Sequence, residues 1–203
     1  MKKVTAIMLM LIMVASFDSN VFAAEYVAPY EIQAYAGYSI ITSKEERDLK
    51  FEKEMKQIIS ELESDAGEKG SKYHYKAEYL PYQYKTVSGY AGNQIPGGYR
   101  FSTGGGFWYT ETGGPSIPVS ISLSLPSPYN VLSLNVKLGK NSNSGQFVTA
   151  PNTTDYFKLY VDKTVEIRPY AVYRTESGTE SWQLYTTGGV TVTYSVNAYA
   201  KKV

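Results

Sequence analysis

Few residues in this chain of 203 amino acids could do covalent chemistry. There is no cysteine, which excludes thiol catalysis, disulfides and cysteine zinc sites. The single histidine, His74, lies between Tyr73 and Tyr75 and has no nucleophile motif such as Gly-x-Ser-x-Gly beside it. Its context therefore favours a surface or packing role over serine-hydrolase chemistry.

Paired carboxylates are the second chemical possibility, because glycoside hydrolysis needs two of them about 5–10 Å apart. The strand-rich part of the chain contains Glu111, Asp155, Asp162, Glu166, Glu176 and Glu180. Most of these carboxylates flank predicted turns, where an acidic side chain ordinarily solvates the turn. A hydrolase is therefore the third functional hypothesis, and the sequence favours a protein that is not an enzyme and has no cofactor and no metal site.

Aromatic side chains are the strongest remaining signal for binding. The chain has 20 tyrosines, and Trp108, Tyr109 and Trp182 lie near predicted glycine-rich turns. A sugar ring presents an apolar C–H face that packs on an aromatic ring, while polar groups bind its hydroxyls. These three are the candidate ligand-binding residues, for a glycan or a cell-surface protein. The alternative, favoured by how common tyrosine is in strands, is that they line the core or brace a sheet.

The segment Ile117–Leu138 carries the clearest pattern in the chain. Its apolar residues, separated by serine, asparagine or lysine, are Val119, Ile121, Leu123, Leu125, Leu132, Leu134, Val136 and Leu138. Strict alternation on both sides of a Pro-Ser-Pro-Tyr-Asn turn predicts an antiparallel hairpin with one apolar and one polar face.

This hairpin has two interpretations. A strand that crosses a membrane needs about 9–11 residues of such alternation, and Ile117–Leu125 and Val131–Leu138 are at or just below that length. Small serines on the polar face suit a water-filled pore. The alternative is an ordinary hairpin with its apolar face in the core, since other predicted strands alternate in the same way.

Residues 1–23 have the features of a secretory signal peptide. Lys2 and Lys3 precede the short apolar run Met8–Val14, and Val21-Phe22-Ala23 supplies small residues at a cleavage spacing. The run is shorter than the roughly 20 residues of a membrane-spanning helix. We therefore expect cleavage after Ala23 and a secreted bacterial protein, extracellular or associated with the cell surface; an uncleaved anchor is the alternative.

The expected mature chain is electrically neutral. Loss of Lys2, Lys3 and Asp18 takes the formal net charge from +1 to zero. A neutral chain lacks the basic surface that nucleic acid requires, so no nucleic-acid partner is expected. Membrane contact is expected only if the hairpin inserts.

One helix is predicted, between an extended N-terminal arm at residues 24–42 and a β-domain at residues 72–203. Ser43 and Glu46 make a capping box at the start of the helix, which covers residues 43–66. One apolar stripe runs along it, consisting of Phe51, Met55, Ile58, Ile59 and Leu62. The stripe predicts a helix packed on a sheet, and a partner-binding or membrane-surface helix is the alternative.

The β-domain is predicted to consist of a series of short strands. Separate strands are predicted at Tyr156–Asp162, Thr164–Thr175, Ser181–Thr186 and Val190–Lys201. In total, about seven to nine strands predict an antiparallel β-sandwich with one N-terminal amphipathic α-helix. The leading functional hypothesis is non-enzymatic binding through loop aromatics. The alternative is a membrane-active β-hairpin protein, such as a pore-forming toxin or a bacteriocin.

Overall fold

The structure, a computed structural model, describes residues 37–65, 72–112, 115–129 and 131–203. These residues form a mainly β fold with antiparallel sheets and a single helix, which confirms the predicted fold class. The predicted signal peptide, residues 1–23, and residues 24–36 of the predicted arm lie outside the described residues.

The described residues contain ten strands, slightly more than predicted. In chain order the elements are β1 (Tyr38–Ile41), α1 (Lys44–Asp65), β2 (Tyr73–Tyr79), β3 (Gln83–Tyr90), β4 (Gly106–Thr110), β5 (Pro118–Ser124), β6 (Val131–Lys137), β7 (Lys140–Ser142), β8 (Gln146–Thr149), β9 (Phe157–Glu176) and β10 (Gln183–Lys202).

Strands β9 and β10 form the centre of the fold. Each has 20 residues, and they pair antiparallel from Gln183 opposite Arg174 to Lys202 opposite Phe157. Strand β1 pairs with β10, while β2 and β3 pair one after the other with β9. Together these five strands make the central sheet.

The prediction of four separate strands in this region is wrong. Tyr156–Asp162 and Thr164–Thr175 are merged in β9, and β10 continues from Gln183 through Gly188 and Gly189 to Lys202. The residues between the predicted strands are in fact paired with the neighbouring strand. Lys163 lies opposite Val196, and both glycines lie opposite residues of β9. Partners distant in sequence therefore decide the strand length.

A β-bulge at Thr193–Ser195 changes the face to which β10 directs its apolar residues. Val192, before the bulge, packs with Phe51 of α1. Val196, after the bulge, packs with Phe107 of β4. The continuous alternation in the sequence therefore serves two cores on opposite faces of the sheet, because the extra residue shifts the side-chain period.

Helix α1 covers one face of the central sheet. Its first turn is capped by Ser43, whose Oγ accepts a hydrogen bond from the Glu46 backbone N–H at 3.2 Å, as the predicted capping box requires. Phe51 is fully buried and Ile58 packs beside it on β10. The predicted apolar stripe thus faces the sheet.

The opposite face of the central sheet carries the remaining strands. Val165 and Ile167 of β9 alternate with residues that face α1, so they point to the other side. The β5–β6 hairpin packs on them. The small sheet in the order β7-β4-β8 packs further along the same face, through Phe107 and Leu159.

A buried carboxylate joins α1 to the central sheet. Glu166 of β9 is 2% exposed and accepts hydrogen bonds from Arg47 Nε at 2.7 Å and Arg168 Nε at 2.9 Å. Arg47 also donates to the carbonyl oxygen of Thr42, and Arg168 pairs with Asp48 of α1. Burying these charges is tolerable because both carboxylate oxygens of Glu166 are bonded to guanidinium groups.

We expect Glu166→Ala to lower the free energy of unfolding by about 3–5 kcal/mol, because Arg47 would stay buried without its carboxylate partner. Urea unfolding followed by circular dichroism measures the loss. The matched control is Glu176→Ala, which breaks an exposed ion pair with Lys72 and should cost less than about 1 kcal/mol. Equal losses in the two variants would contradict the structural role assigned to Glu166.

Candidate functional site

Strands β5 and β6 form a two-stranded sheet of their own. They pair antiparallel from Pro118 opposite Lys137 to Ser124 opposite Val131, which confirms the hairpin predicted at Ile117–Leu138. Within the described residues, neither strand is paired with a strand of the central sheet. The hairpin is therefore attached to the body by its side chains and its base.

The two faces of the hairpin have opposite environments. The exposed polar side consists of Ser120, Ser122, Ser124, Ser133, Asn135 and Lys137. On the other side, Leu123 is 1% exposed and Val136 is also buried. The apolar residues that pack partly buried around them are Val119, Ile121, Leu132 and Leu134.

The apolar side rests on a surface that we call the hairpin seat, formed by Val87, Val165, Ile167 and Gly189 of the central sheet. Gly189 leaves room for the hairpin, because a Cβ there would lie 2.6 Å from Leu132 Cδ2. Contact across the seat is therefore apolar packing, with a glycine at the closest approach.

Two hydrogen bonds supplement this packing. Lys163, which is buried under the hairpin, donates from Nζ to the Lys137 carbonyl oxygen at 3.0 Å. At the other end, the Tyr129 and Tyr173 hydroxyls are 2.8 Å apart. The hydrogen bond with Tyr129 raises the pKa of Tyr173 to about 12.

The base of the hairpin is fixed at one point. Ser116 Oγ accepts a hydrogen bond from the Gly139 N–H at 3.0 Å, and the Gly92 N–H donates to the Gly139 carbonyl at 2.9 Å. Gly139 has a φ of +85°, and a Cβ there would lie 2.6 Å from Tyr109 Cε2. Only glycine suits this position, where the chain turns from the hairpin into the small sheet.

The three predicted ligand-binding aromatics contact different parts of the fold. Trp108 is 41% exposed and lies 5.0 Å from the ring of Phe147, between centroids. Trp182 is 40% exposed, just before β10, with the Lys76 ammonium 5.0 Å from its ring. Tyr109 is 1% exposed and offers no surface to a ligand. Ligand binding by Trp108 and Trp182 stays a prediction.

A second aromatic group, which we call the tyrosine row, lies on the face of the central sheet that α1 partly covers. Tyr90, Tyr160 and Tyr199 are directly opposite one another on β3, β9 and β10. Neighbouring ring centroids are 5.2 and 5.5 Å apart. Sequence reasoning misses this row, because its members come together only through the register of three strands.

Polar residues form the next row of the same face. Asp162 lies opposite Ser88 on one side and Asn197 on the other. Ser88 Oγ donates to the Asp162 carboxylate at 2.5 Å. Burial, together with the nearby Asp162 carboxylate, raises the pKa of Tyr199 to about 12.

Three of the carboxylates considered for hydrolysis, Asp162, Glu166 and Glu176, are either too far apart to act as a pair or already paired with a cation. Asp162 and Glu166 lie four residues apart on one strand, a separation of roughly 13 Å at the usual rise of a strand, too far for a hydrolytic pair. Glu166 is bound by two arginines and Glu176 pairs with Lys72. Among the described residues, no group of three or more histidine, aspartate or glutamate side chains is placed to hold a metal ion.

Comparisons with known proteins give no further guidance. The chain matches no protein-family model, no curated protein and no solved structure. In the described part of the chain, no helix is both long and apolar enough to cross a membrane. The functional assignment therefore depends on the geometry of the hairpin and the aromatic surfaces.

We expect the backbone amides of β5 and β6 to exchange with deuterium faster than those of β9, because the hairpin can open without breaking the central sheet. Hydrogen exchange followed by mass spectrometry measures both. Strand β3, which also packs against the hairpin but pairs with β9, is the internal control and should exchange more slowly than β6. Equal protection of the hairpin and β9 would mean that the hairpin opens only on global unfolding.

Proposed function

We propose that this is a membrane-active protein that inserts the β5–β6 hairpin into a lipid bilayer, as a pore-forming toxin does. The observation that carries the proposal is the isolation of the hairpin: its apolar side is buried on the seat, yet its strands pair only with each other within the described residues. Moving it into lipid exchanges one apolar environment for another.

Release of the hairpin leaves the main supports of the fold in place. Strands β1, β10, β9 and β3 stay paired, and Glu166 still holds α1. The cost is the exposure of the seat and the loss of the Lys163 and Tyr173 hydrogen bonds. Burial of leucines and valines in lipid offsets that cost.

Insertion requires several copies of the chain. A lone hairpin in lipid would leave the outer backbone groups of both strands without hydrogen-bond partners, which is unfavourable in hydrocarbon. Pairing with hairpins of neighbouring copies satisfies those groups. The row of exposed serines would then face water inside the assembly, while the leucines face lipid.

The length of the hairpin is just sufficient. Ile117–Leu125 has nine residues and Val131–Leu138 has eight, against the 9–11 or so that a membrane-crossing strand requires. Residues of the turn therefore join the inserted strands. The base stays anchored at Gly139, whose N–H and carbonyl are bonded to Ser116 and Gly92.

The second candidate function is the non-enzymatic binding of a cell-surface glycan or protein. The exposed ring pair of Trp108 and Phe147 supports it, because aromatic surface of this kind commonly makes binding sites. The two functions are compatible, since recognition of a cell surface precedes insertion. Both agree with the expected secretion of the protein.

We expect a disulfide between Gly189→Cys and Leu132→Cys to abolish membrane leakage by fixing the hairpin to its seat. The native chain has no cysteine, so only this disulfide can form. Release of a fluorescent dye from phosphatidylcholine–phosphatidylglycerol vesicles is measured before and after reduction. Leakage should be absent in the oxidised protein and return on reduction.

The matched control pair is Ser120→Cys with Asn135→Cys. These residues lie opposite each other within the hairpin, 2.8 Å apart between Oγ and Oδ1, so a disulfide there ties the two strands together and not to the body. Its oxidised form should still release dye. Leakage from the oxidised protein with Gly189→Cys and Leu132→Cys refutes insertion of this hairpin. So does the absence of leakage from that protein after reduction, or from the native protein at micromolar concentration.

We also expect Ser122→Lys to shift the ion selectivity of the pore toward anions, because the exposed serine side would line the water-filled path. The reversal potential across a planar bilayer in a salt gradient measures the shift. Ser102→Lys, an exposed residue on a turn outside the hairpin, adds the same charge and should leave the reversal potential unchanged. Identical potentials for both variants would argue against a lumen lined by the hairpin.

A further inference from the structure

We propose that the tyrosine row binds a carbohydrate that carries an acidic group, with the sugar ring on the tyrosines and the acidic group on Lys158 and Lys201. The tyrosine row is separate from the hairpin, only the adjoining cleft reaches the hairpin base, and binding to the row does not depend on membrane insertion. It also differs from the three aromatic residues that the sequence analysis selects.

The tyrosine row is a rigid surface. Tyr90, Tyr160 and Tyr199 are each half-buried, and the ladder of β3, β9 and β10 fixes their spacing. The rings are tilted against one another, at 88° for the first pair and 44° for the second. The ring surface that the neighbouring lysines leave uncovered can pack on the C–H face of a sugar, and the tyrosine hydroxyls can bond its polar groups.

Two lysines on one side of this row hold their ammonium groups over its rings and repel each other. Lys158 and Lys201 are directly opposite each other on β9 and β10, where like charges repel. Their ammonium groups lie 5.0 Å from the Tyr90 ring and 4.0 Å from the Tyr160 ring. Neither has an ion pair with a carboxylate among the described residues, whereas the adjacent Lys202 pairs with Asp155 at 2.9 Å. An anion between the two lysines would relieve the repulsion.

The two sides of the tyrosine row have opposite electrostatic character, which orients the ligand. The lysines lie on one side, and the row of Ser88, Asp162 and Asn197 lies on the other. An acidic group is attracted to the lysine side and repelled from Asp162. The hydroxyls of the same sugar can bond the carboxylate, the amide and the tyrosine hydroxyls.

A cleft beside the lysine side provides room for a further sugar. It has a volume of about 290 Å³, near the lower end for small-molecule sites. Tyr90 and Lys158 line one part of it, and Asn93, Ser116 and Ile117 line another. Since the cleft and the tyrosine row share Tyr90 and Lys158, a chain of two or more sugars can occupy both.

The experiment measures binding of the full chain to small defined glycans, so that non-specific polyelectrolyte effects are avoided. A panel of carboxylated and sulfated oligosaccharides is screened together with neutral oligosaccharides of equal length, and hits are titrated by calorimetry. At least one acidic glycan should bind, about tenfold more tightly than its neutral counterpart, the factor that corresponds to roughly 1.4 kcal/mol. A blank panel overturns the proposal.

Two variants locate the site. Tyr160→Leu keeps an apolar side chain on the strand but removes the central ring, and Lys158→Gln with Lys201→Gln removes the paired charges. Each should weaken binding about tenfold or more. The control double variant Lys53→Gln with Lys56→Gln makes the same change in net charge at exposed positions of α1. It should bind as the native chain does, and unfolding curves confirm that all variants are folded.

Two outcomes would overturn the assignment. Binding that survives both site variants places the glycan elsewhere. Binding of phosphatidylglycerol vesicles that is lost on removing the lysines but unaffected by Tyr160→Leu, with no acidic glycan bound, assigns the lysines to a lipid surface instead. The dye-release test with the locked hairpin is independent, so either proposal can fail while the other stands.

Discussion

The rest of the structure depends on the pairing of β9 with β10. This pair of 20-residue strands forms the middle of a long sheet, and both faces of the sheet are covered by other elements. Strands β1, β2 and β3 extend the sheet by pairing with β9 or β10. The bulge at Thr193–Ser195 then divides the apolar residues of β10 between those faces, so that α1 and the small sheet can be bound by one strand. Glu166 completes the arrangement, because its two arginines fix the position of α1 with buried charge.

Local patterns account for the part of this fold that the sequence predicts correctly. The serine–leucine alternation of Ile117–Leu138 and the cap at Ser43 depend on residues close together in the chain, and both are present in the structure. A proline, Pro81, also lies between β2 and β3. Such features depend on periodicity and capping chemistry, which a single sequence displays directly.

What the sequence does not reveal depends on partners that are distant along the chain. Gly188 and Gly189 look like a turn, yet they continue a strand because β9 lies opposite and hairpin leucines fill the space above. Tyr160 is one tyrosine among twenty until the register places Tyr90 and Tyr199 beside it. The number and spacing of glycines and tyrosines do not show which strands pair or in which register. The candidate sugar site could therefore not be found from the sequence.

The same division between local and distant contacts explains why the hairpin is a candidate for movement. The pairing of β5 with β6 lies within Pro118–Lys137, so the hairpin can move without breaking its own strand pairing. The strand pairing and the ion pairs that hold the body lie outside that segment, in the ladders of β9 and in the bonds of Glu166. The seat joins these two parts mainly by apolar contact. Apolar contact is non-directional, so a lipid bilayer can replace the seat, whereas nothing in a bilayer could replace the strand pairing that the central sheet requires.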